Sequence, residues 1–262
     1  MRAHLKLLGI FYRNAIAAEL EYRLNFWSNV LLTLFWVAWS VVGVRVFFVH
    51  AERIAGWSYD EVLVVLGMFF VMNGFRELLL QPNLSRMSEY VRLGMLDYIL
   101  TKPINSQFLV SLRNLNVFSL NEPLLGGGLI AYGLWRMHYL PSGGDGVLFV
   151  ALTIAGAIVL YSFNLLLHTL TFWLVDLERV DPLVSSVVET GRFPVSFYQG
   201  WVRLVLTAIV PVAVVTTFPA EALLGRLDVR AAVAAIVLAV LSFVVATSFW
   251  NVAVRAYTSA SS

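Results

Sequence analysis

Long runs of apolar residues separated by short polar segments dominate this chain. An α-helix rises about 1.5 Å per residue, so about 20 apolar residues cross a hydrocarbon layer about 30 Å thick. The fifth run is marginal because it contains Pro211 and Pro219. We predict six membrane-spanning helices, in Leu24–Val44, Val62–Phe75 (extending to Leu80), Asn114–Trp135, Gly146–Val175, Leu204–Ala220 and Ala231–Val254.

Positive charge is distributed unequally between the two sides that six spans define. Cytoplasmic loops are enriched in Lys and Arg. Six spans place both termini on the same side of the membrane. That side carries more Lys and Arg residues than the other, as expected of the cytoplasmic side. Its basic residues are then Arg2, Lys6, Arg13, Arg23, Arg76, Arg86, Arg92, Lys102, Arg113, Arg179 and Arg255. The pattern predicts cytoplasmic N- and C-termini.

The segment before the first apolar run has a different pattern. Charged residues recur in it up to Arg23, which is not typical of a cleaved signal peptide. We predict that residues 1–23 form an amphipathic helix on the inner membrane surface. The alternative is a plain cytoplasmic extension of the first span.

The composition supports a membrane protein and excludes several other classes. The chain is 60% hydrophobic and 13% charged, whereas soluble domains are about 25% charged. Such a chain is too apolar to be disordered. The net charge is only +2 and the basic residues are scattered, which argues against a nucleic-acid partner. The absence of cysteine excludes disulfides and thiolate metal sites.

No motif for catalysis or nucleotide binding is recognisable. Lys6 and Lys102 are followed by Leu7 and Pro103, so the Gly-Lys-Ser/Thr sequence of a P-loop is missing. No two of the four histidines have the i, i+4 spacing of a helical metal site. We therefore expect no cofactor, no metal and no enzymatic activity in this chain alone.

Two inner segments are longer than the other connections. Residues 81–107 contain both charge signs, a residue suited to cap a helix (Asn83 or Ser85) and Gly94 as a helix end. Hydropathy alone leaves open whether they form a solvated linker or a docking surface. The second segment, residues 176–200, contains Glu189 and Arg192, whose i, i+3 spacing allows them to pair.

Three polar residues fall inside predicted spans, where ionisable groups usually face protein or a water-filled path. Glu122 lies near the middle of the third segment and is followed by Pro123 and three glycines, which allow close helix packing. Asn164 and His168 share one face of the fourth segment. Each residue is a candidate either for a translocation path or for a structural hydrogen bond.

Three stretches resemble one family. The cytoplasmic pattern Arg-x-Gly-x-Leu-Asp-x-x-Leu-x-Lys-Pro occurs in residues 91–105, and residues 20–26 resemble the entry to that family's first span. Residues 193–204, 211–213 and 218–220 resemble its C-terminal signature. In this order they are similar to ABC-2 type permeases, the membrane subunits of bacterial ABC transporters.

The resemblance implies a revised fold. It implies a single transmembrane domain over residues 1–262, all-α, with six transmembrane helices and a re-entrant or outer-surface element over residues 199–224. The fifth span would then be Arg179–Tyr198 rather than Leu204–Ala220. Hydropathy leaves both positions of the fifth span open, and the resemblance favours Arg179–Tyr198.

The resemblance also implies a function. The chain would be the permease subunit of an exporter in the bacterial inner membrane, and residues 81–107 would be its cytoplasmic coupling region. ATP and Mg²⁺ would be bound by a partner ATPase dimer, and a related second permease would complete the path. The implied ATPase contacts are Arg86, Glu89, Arg92 and Asp97. The candidate path residues are Glu122, Glu189, Arg192, Asn164 and His168.

Two alternatives remain open from the sequence. One is an ATP-independent transporter or channel, which needs no docking loop. The other is a membrane-embedded enzyme that acts on lipids, for which only Glu122 and His168 are candidate catalytic groups.

Overall fold

The computed structural model describes Gly9, Tyr12, residues 23–174 and residues 180–257, which are mostly helical. Apart from Gly9, Tyr12 and Arg23, the predicted interface helix lies outside these residues. Short π- and 3-10-helical segments connect many of the α-helices. The α-helices are α1 (Arg23–Phe47), α2 (Tyr59–Phe75), α3 (Gln81–Leu84), α4 (Met87–Arg92), α5 (Met95–Leu100), α6 (Ser106–Leu112), α7 (Asn121–Arg136), α8 (Gly143–Thr169), α9 (Val180–Glu189), α10 (Gly200–Leu204), α11 (Phe218–Leu223) and α12 (Val229–Ala256).

Four helical segments of the described chain are long and apolar enough to cross a membrane. They are Trp27–Phe47, Tyr59–Arg92, Gly143–Phe172 and Val229–Ala256. The third predicted span is shorter than expected, because α7 begins only at Asn121. Four of the six predicted spans therefore have a helix of sufficient length, and the count of six stays a prediction.

A small β-hairpin departs from the predicted all-α architecture. Strands β1 (Arg53–Ile54) and β2 (Trp57–Ser58) pair antiparallel across Ala55 and Gly56, which both have positive φ angles. This is the geometry of a two-residue turn, but Ala-Gly lacks the Asn-Gly signal that would predict it. Ser58 then caps α2 in a capping box with Glu61. The hairpin marks one end of the molecule, called the hairpin end below.

Helix α2 lies at the centre of the chain. All residues from Val62 to Phe70 are buried, so no face of this stretch is free. Its neighbours are α7, α8 and the segment Ala213–Leu223. A helix that is apolar all round requires such an environment.

Glycines allow α2 and α7 to pack with their backbones in contact. A Cβ atom built on Gly67 would lie 2.6 Å from the carbonyl oxygen of Gly126, and the reverse distance is also 2.6 Å. Gly74 meets Pro123 in the same way. Close helix packing at the glycine cluster is thus confirmed for Gly126, whereas Gly127 meets no neighbour within 4 Å.

Small residues also join α12 to α8. The face of α12 that lies against α8 is an alanine stripe, and the opposite faces of α1 and α12 expose large apolar side chains. The buried alanines are Ala232, Ala235, Ala239, Ala246 and Ala253. The exposed side chains include Trp27, Leu31, Phe35, Trp39, Val233, Ile236, Val240 and Val244. These faces suit lipid or another apolar partner.

The glycine contact yields a matched test. We expect Gly126→Val to destabilise the chain by about 1–3 kcal/mol or more, because the added side chain collides with the α2 backbone. Gly127→Val changes the helix propensity in the same way but meets open space, so its effect should be small. Thermal unfolding in detergent, followed by size-exclusion chromatography, measures both. Equal destabilisation by the two variants would contradict the close approach.

Candidate functional site

Two short helices form an exposed element at the end of the molecule opposite the hairpin. Helices α4 and α5 are separated by Gly94, whose φ angle is +66°, so the predicted helix end there is confirmed. Their buried faces carry Met87, Tyr90, Leu96 and Ile99. The pair is therefore amphipathic, with one face anchored in the core.

The exposed face of α4–α5 combines charges with apolar groups. Three of the residues predicted to contact a partner, Arg86, Glu89 and Arg92, are exposed, and Asp97 is half-buried. Sequence reasoning missed three apolar side chains between them. Leu93, Met95 and Tyr98 are 57%, 41% and 72% exposed, and Lys102 Nζ lies 4.9 Å from the ring centroid of Tyr98. The helical spacing of the buried residues of α4 and α5 is the sequence pattern that could have predicted which apolar side chains are exposed.

Asn83 ties this end of the molecule to the loop before α7. Its Nδ2 donates to the carbonyl oxygens of Leu79 (2.6 Å) and Asn114 (2.7 Å), and its Oδ1 accepts from the Asn114 amide (2.7 Å). Asn83 is 1% exposed. The predicted capping role is replaced by this tertiary contact, because the chain is already helical before Asn83.

Glu122 belongs to a polar network between α7 and α2. It lies in the first turn of α7 and not near the middle of a span, because that helix starts at Asn121. Asn73 Nδ2 donates to Glu122 Oε2 at 2.7 Å, and Arg76 Nε donates to Asn73 Oδ1 at 3.4 Å. Arg76, which is buried, also forms an ion pair with Glu77. The Glu122 carboxylate is thus held by an amide.

Glu189 and Arg192 pair as their spacing predicts. Arg192 Nη2 lies 3.4 Å from Glu189 Oε1. The guanidinium group lies 5.1 Å from the ring centroid of Phe69, in the middle of α2, and its buried Nε has no hydrogen-bond partner within the described chain. The Glu189 side chain is 62% exposed. This ion pair thus packs on α2 with its carboxylate turned outward.

Asn164 and His168 lie apart from Glu122 and from the Glu189–Arg192 pair. Both are buried on α8, and His168 Nε2 lies 3.4 Å from Asp181 Oδ1 of α9, an ion pair when the histidine is protonated. Asn164 Nδ2 donates to the Leu160 carbonyl at 2.8 Å, whereas its Oδ1 has no partner among the described residues. Sequence reasoning did not connect Asp181 with His168, since nothing local pairs the two helices.

A further cluster at the hairpin end was not predicted. Arg226 Nη1 lies 3.0 Å from Glu61 Oε2, its Nη2 donates to the Gly56 carbonyl at 3.1 Å, and its guanidinium lies 4.7 Å from the Trp57 ring. Trp57 Nε1 in turn donates to Ser196 Oγ at 3.0 Å. These contacts join the hairpin to the segments on both sides of α10 and α11.

The predicted site residues therefore form separate groups. One lies on α4–α5, a second joins α2 to α7, a third lies at the end of α9, and a fourth joins α8 to α9. Within the described residues, no group of three or more His, Cys, Asp or Glu side chains could hold a metal ion.

The amide–carboxylate contact can be tested with a double-mutant cycle. We expect Asn73→Leu to destabilise the chain because it leaves the Glu122 carboxylate without its donor. Asn73→Leu combined with Glu122→Leu should cost less than the sum of the single variants, with a coupling energy of about 0.5–2 kcal/mol. Unfolding by SDS titration gives the three free energies. Strict additivity would be incompatible with the contact.

Comparison with known proteins identifies a family to which the chain is similar. The model of the family described as "ABC-2 family transporter protein" matches residues 34–261. No curated protein matches the chain significantly. The matched region contains α4–α5 and most of the four segments that are long and apolar enough to cross a membrane.

The match confirms the resemblance drawn from the sequence motifs. Proteins of this family are membrane components of ABC transporters and are not themselves the catalytic subunit. Several long apolar helices agree with a multi-pass membrane protein. Since the matched residues cover most of its length, this chain belongs to the ABC-2 family of transporter membrane proteins.

Proposed function

We propose that this chain is the permease subunit of an ABC exporter in the bacterial inner membrane. A separate ATPase dimer binds ATP and Mg²⁺ and drives it, and a related second permease completes the substrate path. The observation that carries the proposal is the exposed α4–α5 element at the far end of the central helix. Family membership itself supports association with an ATPase subunit.

The length of the α2 segment supports a position for this element outside the hydrocarbon core. Tyr59–Arg92 contains 34 residues and would extend about 50 Å as one helix, which exceeds the hydrocarbon thickness of about 30 Å. One end of the segment must therefore leave the membrane. The capped start at Ser58 lies beside the hairpin, so the end with Arg86, Glu89 and Arg92 projects on the opposite side.

The surface of α4–α5 has the composition of a protein interface. Large apolar groups at the centre with charges around them are typical of contact sites between proteins. Leu93, Met95 and Tyr98 supply the apolar part, and Arg86, Glu89 and Arg92 supply charges of both signs. In this proposal, the apolar groups enter a groove of the ATPase and the charges fix the orientation.

The movement that accompanies closure of the ATPase dimer can be transmitted to the membrane spans through α2. Helix α4 follows α2 in the helical segment Tyr59–Arg92, and Asn83 links this segment to the loop before α7. Because α2 and α7 touch through their backbones, they move as a unit. A displacement of α4–α5 would thus shift a two-helix body between two packings, as alternating access requires.

We further propose six spans with cytoplasmic termini, in which residues 199–224 are re-entrant. Ser196 lies at the hairpin end, bonded to Trp57. Pro211 instead lines a small pocket with Val159 and Leu160, in the interior of α8. Gly225 is again close to the start of α8, where its Cβ would lie 2.9 Å from the Tyr139 hydroxyl. These contacts are explained if the chain enters the membrane from the hairpin end as far as Pro211 and then returns to the hairpin end.

Glu189 is the best-supported candidate for the path. In this topology it lies within the fifth span, yet its side chain is 62% exposed. A carboxylate at membrane depth must face water or protein rather than lipid. In this proposal, the interface with the second permease and the path lie beside Glu189 and Arg192. Glu122, Asn164 and His168 are buried or half-buried within the chain and would act on the path through helix packing.

The arrangement does not favour a lipid-modifying enzyme. That alternative needs Glu122 and His168 to converge on one substrate. Glu122 is engaged by Asn73 on α2, whereas His168 faces Asp181 on α9. The two side chains belong to different contacts between helices.

Leu93→Asp tests the docking surface. A charge at the centre of an apolar contact should weaken ATPase binding at least tenfold, as expected for a central interface residue. The matched control is Leu140→Asp, because Leu140 is 91% exposed in the connection between α7 and α8, at the hairpin end. The measurement is the ATPase stoichiometry of the tagged chain after purification in mild detergent.

Two outcomes would count against the proposal. If Leu93→Asp and Leu140→Asp chains retained the ATPase equally, docking would not involve this surface. If the wild-type chain carried no ATPase yet supported transport in vesicles without ATP, the ATP-independent alternative would be favoured instead.

A further inference from the structure

An open groove lies between α6, α8 and α12. Its volume is about 530 Å³, which is within the range of small-molecule sites. Ile154, Ala157 and Ile158 of α8 form one wall, and Phe243 of α12 forms part of the other. Ile154 and Phe243 are 56% and 42% exposed, so the groove opens sideways, towards the space around the helices.

The floor of this groove is a polar cluster. Gln107 Nε2 donates to the Tyr161 hydroxyl at 3.0 Å and to Thr247 Oγ1 at 3.2 Å, and Ser111 Oγ lies 2.9 Å from the Tyr161 hydroxyl. Gln107 and Ser111 are 8% and 2% exposed. Four polar side chains from three helices therefore meet beneath an apolar opening. None of the described residues that line the groove is charged.

Counting hydrogen atoms shows what the floor lacks. Both N–H groups of the Gln107 amide are used. The hydroxyls of Ser111, Tyr161 and Thr247 carry three protons, and one of these bridges Ser111 and Tyr161. Among the described residues, the other two protons have no acceptor. The floor can therefore donate two hydrogen bonds to a ligand that brings acceptors.

The depth of the groove indicates where that ligand comes from. Tyr161 and Thr247 each lie about five helical turns, or about 27 Å, from the hairpin end of their helices. This is close to the far edge of a hydrocarbon core about 30 Å thick. Asn105 and Leu80, which also line the groove, belong to the segments next to α4–α5. The ester groups of glycerolipids lie at that edge.

We propose that this groove binds a membrane glycerolipid of the leaflet on the α4–α5 side. One acyl chain lies along Ile154, Ile158 and Phe243, and an ester carbonyl accepts the hydroxyl protons of Thr247 and of the Ser111–Tyr161 pair. The head group stays outside, which agrees with the absence of charge among the lining residues. The site involves neither the docking surface nor the proposed path beside Glu189.

The test compares two lipids on the purified full-length chain without an ATPase. The probes are dipalmitoyl phosphatidylcholine and its dihexadecyl ether analogue, which has the same head group and chain length but no ester carbonyl. After delipidation, native mass spectrometry measures the affinity of each. We expect the diester to bind about three- to tenfold more tightly, which is the range of one or two net hydrogen bonds.

Variants assign the preference to this groove. Thr247→Val should abolish the difference between the two lipids. Ser242→Ala is the matched control, because the Ser242 hydroxyl donates to the Ala239 carbonyl within α12 and does not line the groove. Ala157→Trp should fill the groove and weaken both lipids. Size-exclusion profiles and thermal unfolding verify that each variant is folded.

Equal affinity of the wild-type chain for diester and diether lipid would overturn the proposal, and this comparison needs no variant. A preference that survives Thr247→Val would overturn it as well. Because no ATPase is present, either result leaves the proposed transport function untouched, and loss of ATPase binding would leave the lipid site untouched.

Discussion

The backbone contact between Gly67 and Gly126 is the constraint on which the rest of the structure depends. In lipid, helices gain little from apolar burial against one another, so association rests on close packing and hydrogen bonds. With Gly67 and Gly126 face to face, α2 and α7 approach until a Cβ atom on either glycine would lie 2.6 Å from the carbonyl oxygen of the other. That approach brings Asn73 within 2.7 Å of Glu122. The polar network between α2 and α7 therefore depends on glycine, which has no side chain, at positions 67 and 126.

Most of the remaining polar contacts lie at or near the ends of helices. Arg226 and Trp57 hold the hairpin end, and Asn83 holds the end near α4–α5. Between them, small residues bring helices close together, at the alanine stripe of α12 and at Gly156 of α8, whose Cβ would lie 2.9 Å from the Val214 carbonyl. Polar side chains also occur there, in the contact of Arg192 with Phe69 and in the cluster around Gln107. Polar contacts thus hold the two ends, and close packing of small residues predominates between them.

The sequence was informative wherever one segment determines its own structure. The four long apolar runs, the helix end at Gly94 and the pairing of Glu189 with Arg192 were all readable from spacing. The family was readable from the motif in residues 91–105. These features depend on residues a few positions apart, and helical periodicity connects such residues directly.

The sequence was less informative wherever distant segments meet. The contact between Asp181 and His168 was not predicted, and Asn83, one of two candidate helix caps, instead binds Asn114. The groove over Gln107 combines α6, α8 and α12, and no local pattern brings these helices together. The register between helices depends on side-chain fit, which a single sequence does not reveal.

The complete enclosure of α2 has a consequence for how the protein is made. The ribosome synthesises Val62–Phe70 long before Ala213–Leu223, which covers part of its surface in the finished chain. A helix this apolar enters the bilayer readily, so lipid first occupies the places later taken by α7, α8 and that segment. As the inserted chain folds, these segments must then displace lipid from all sides of α2. The last steps of assembly therefore take place inside the membrane, after the synthesis of Ala213–Leu223.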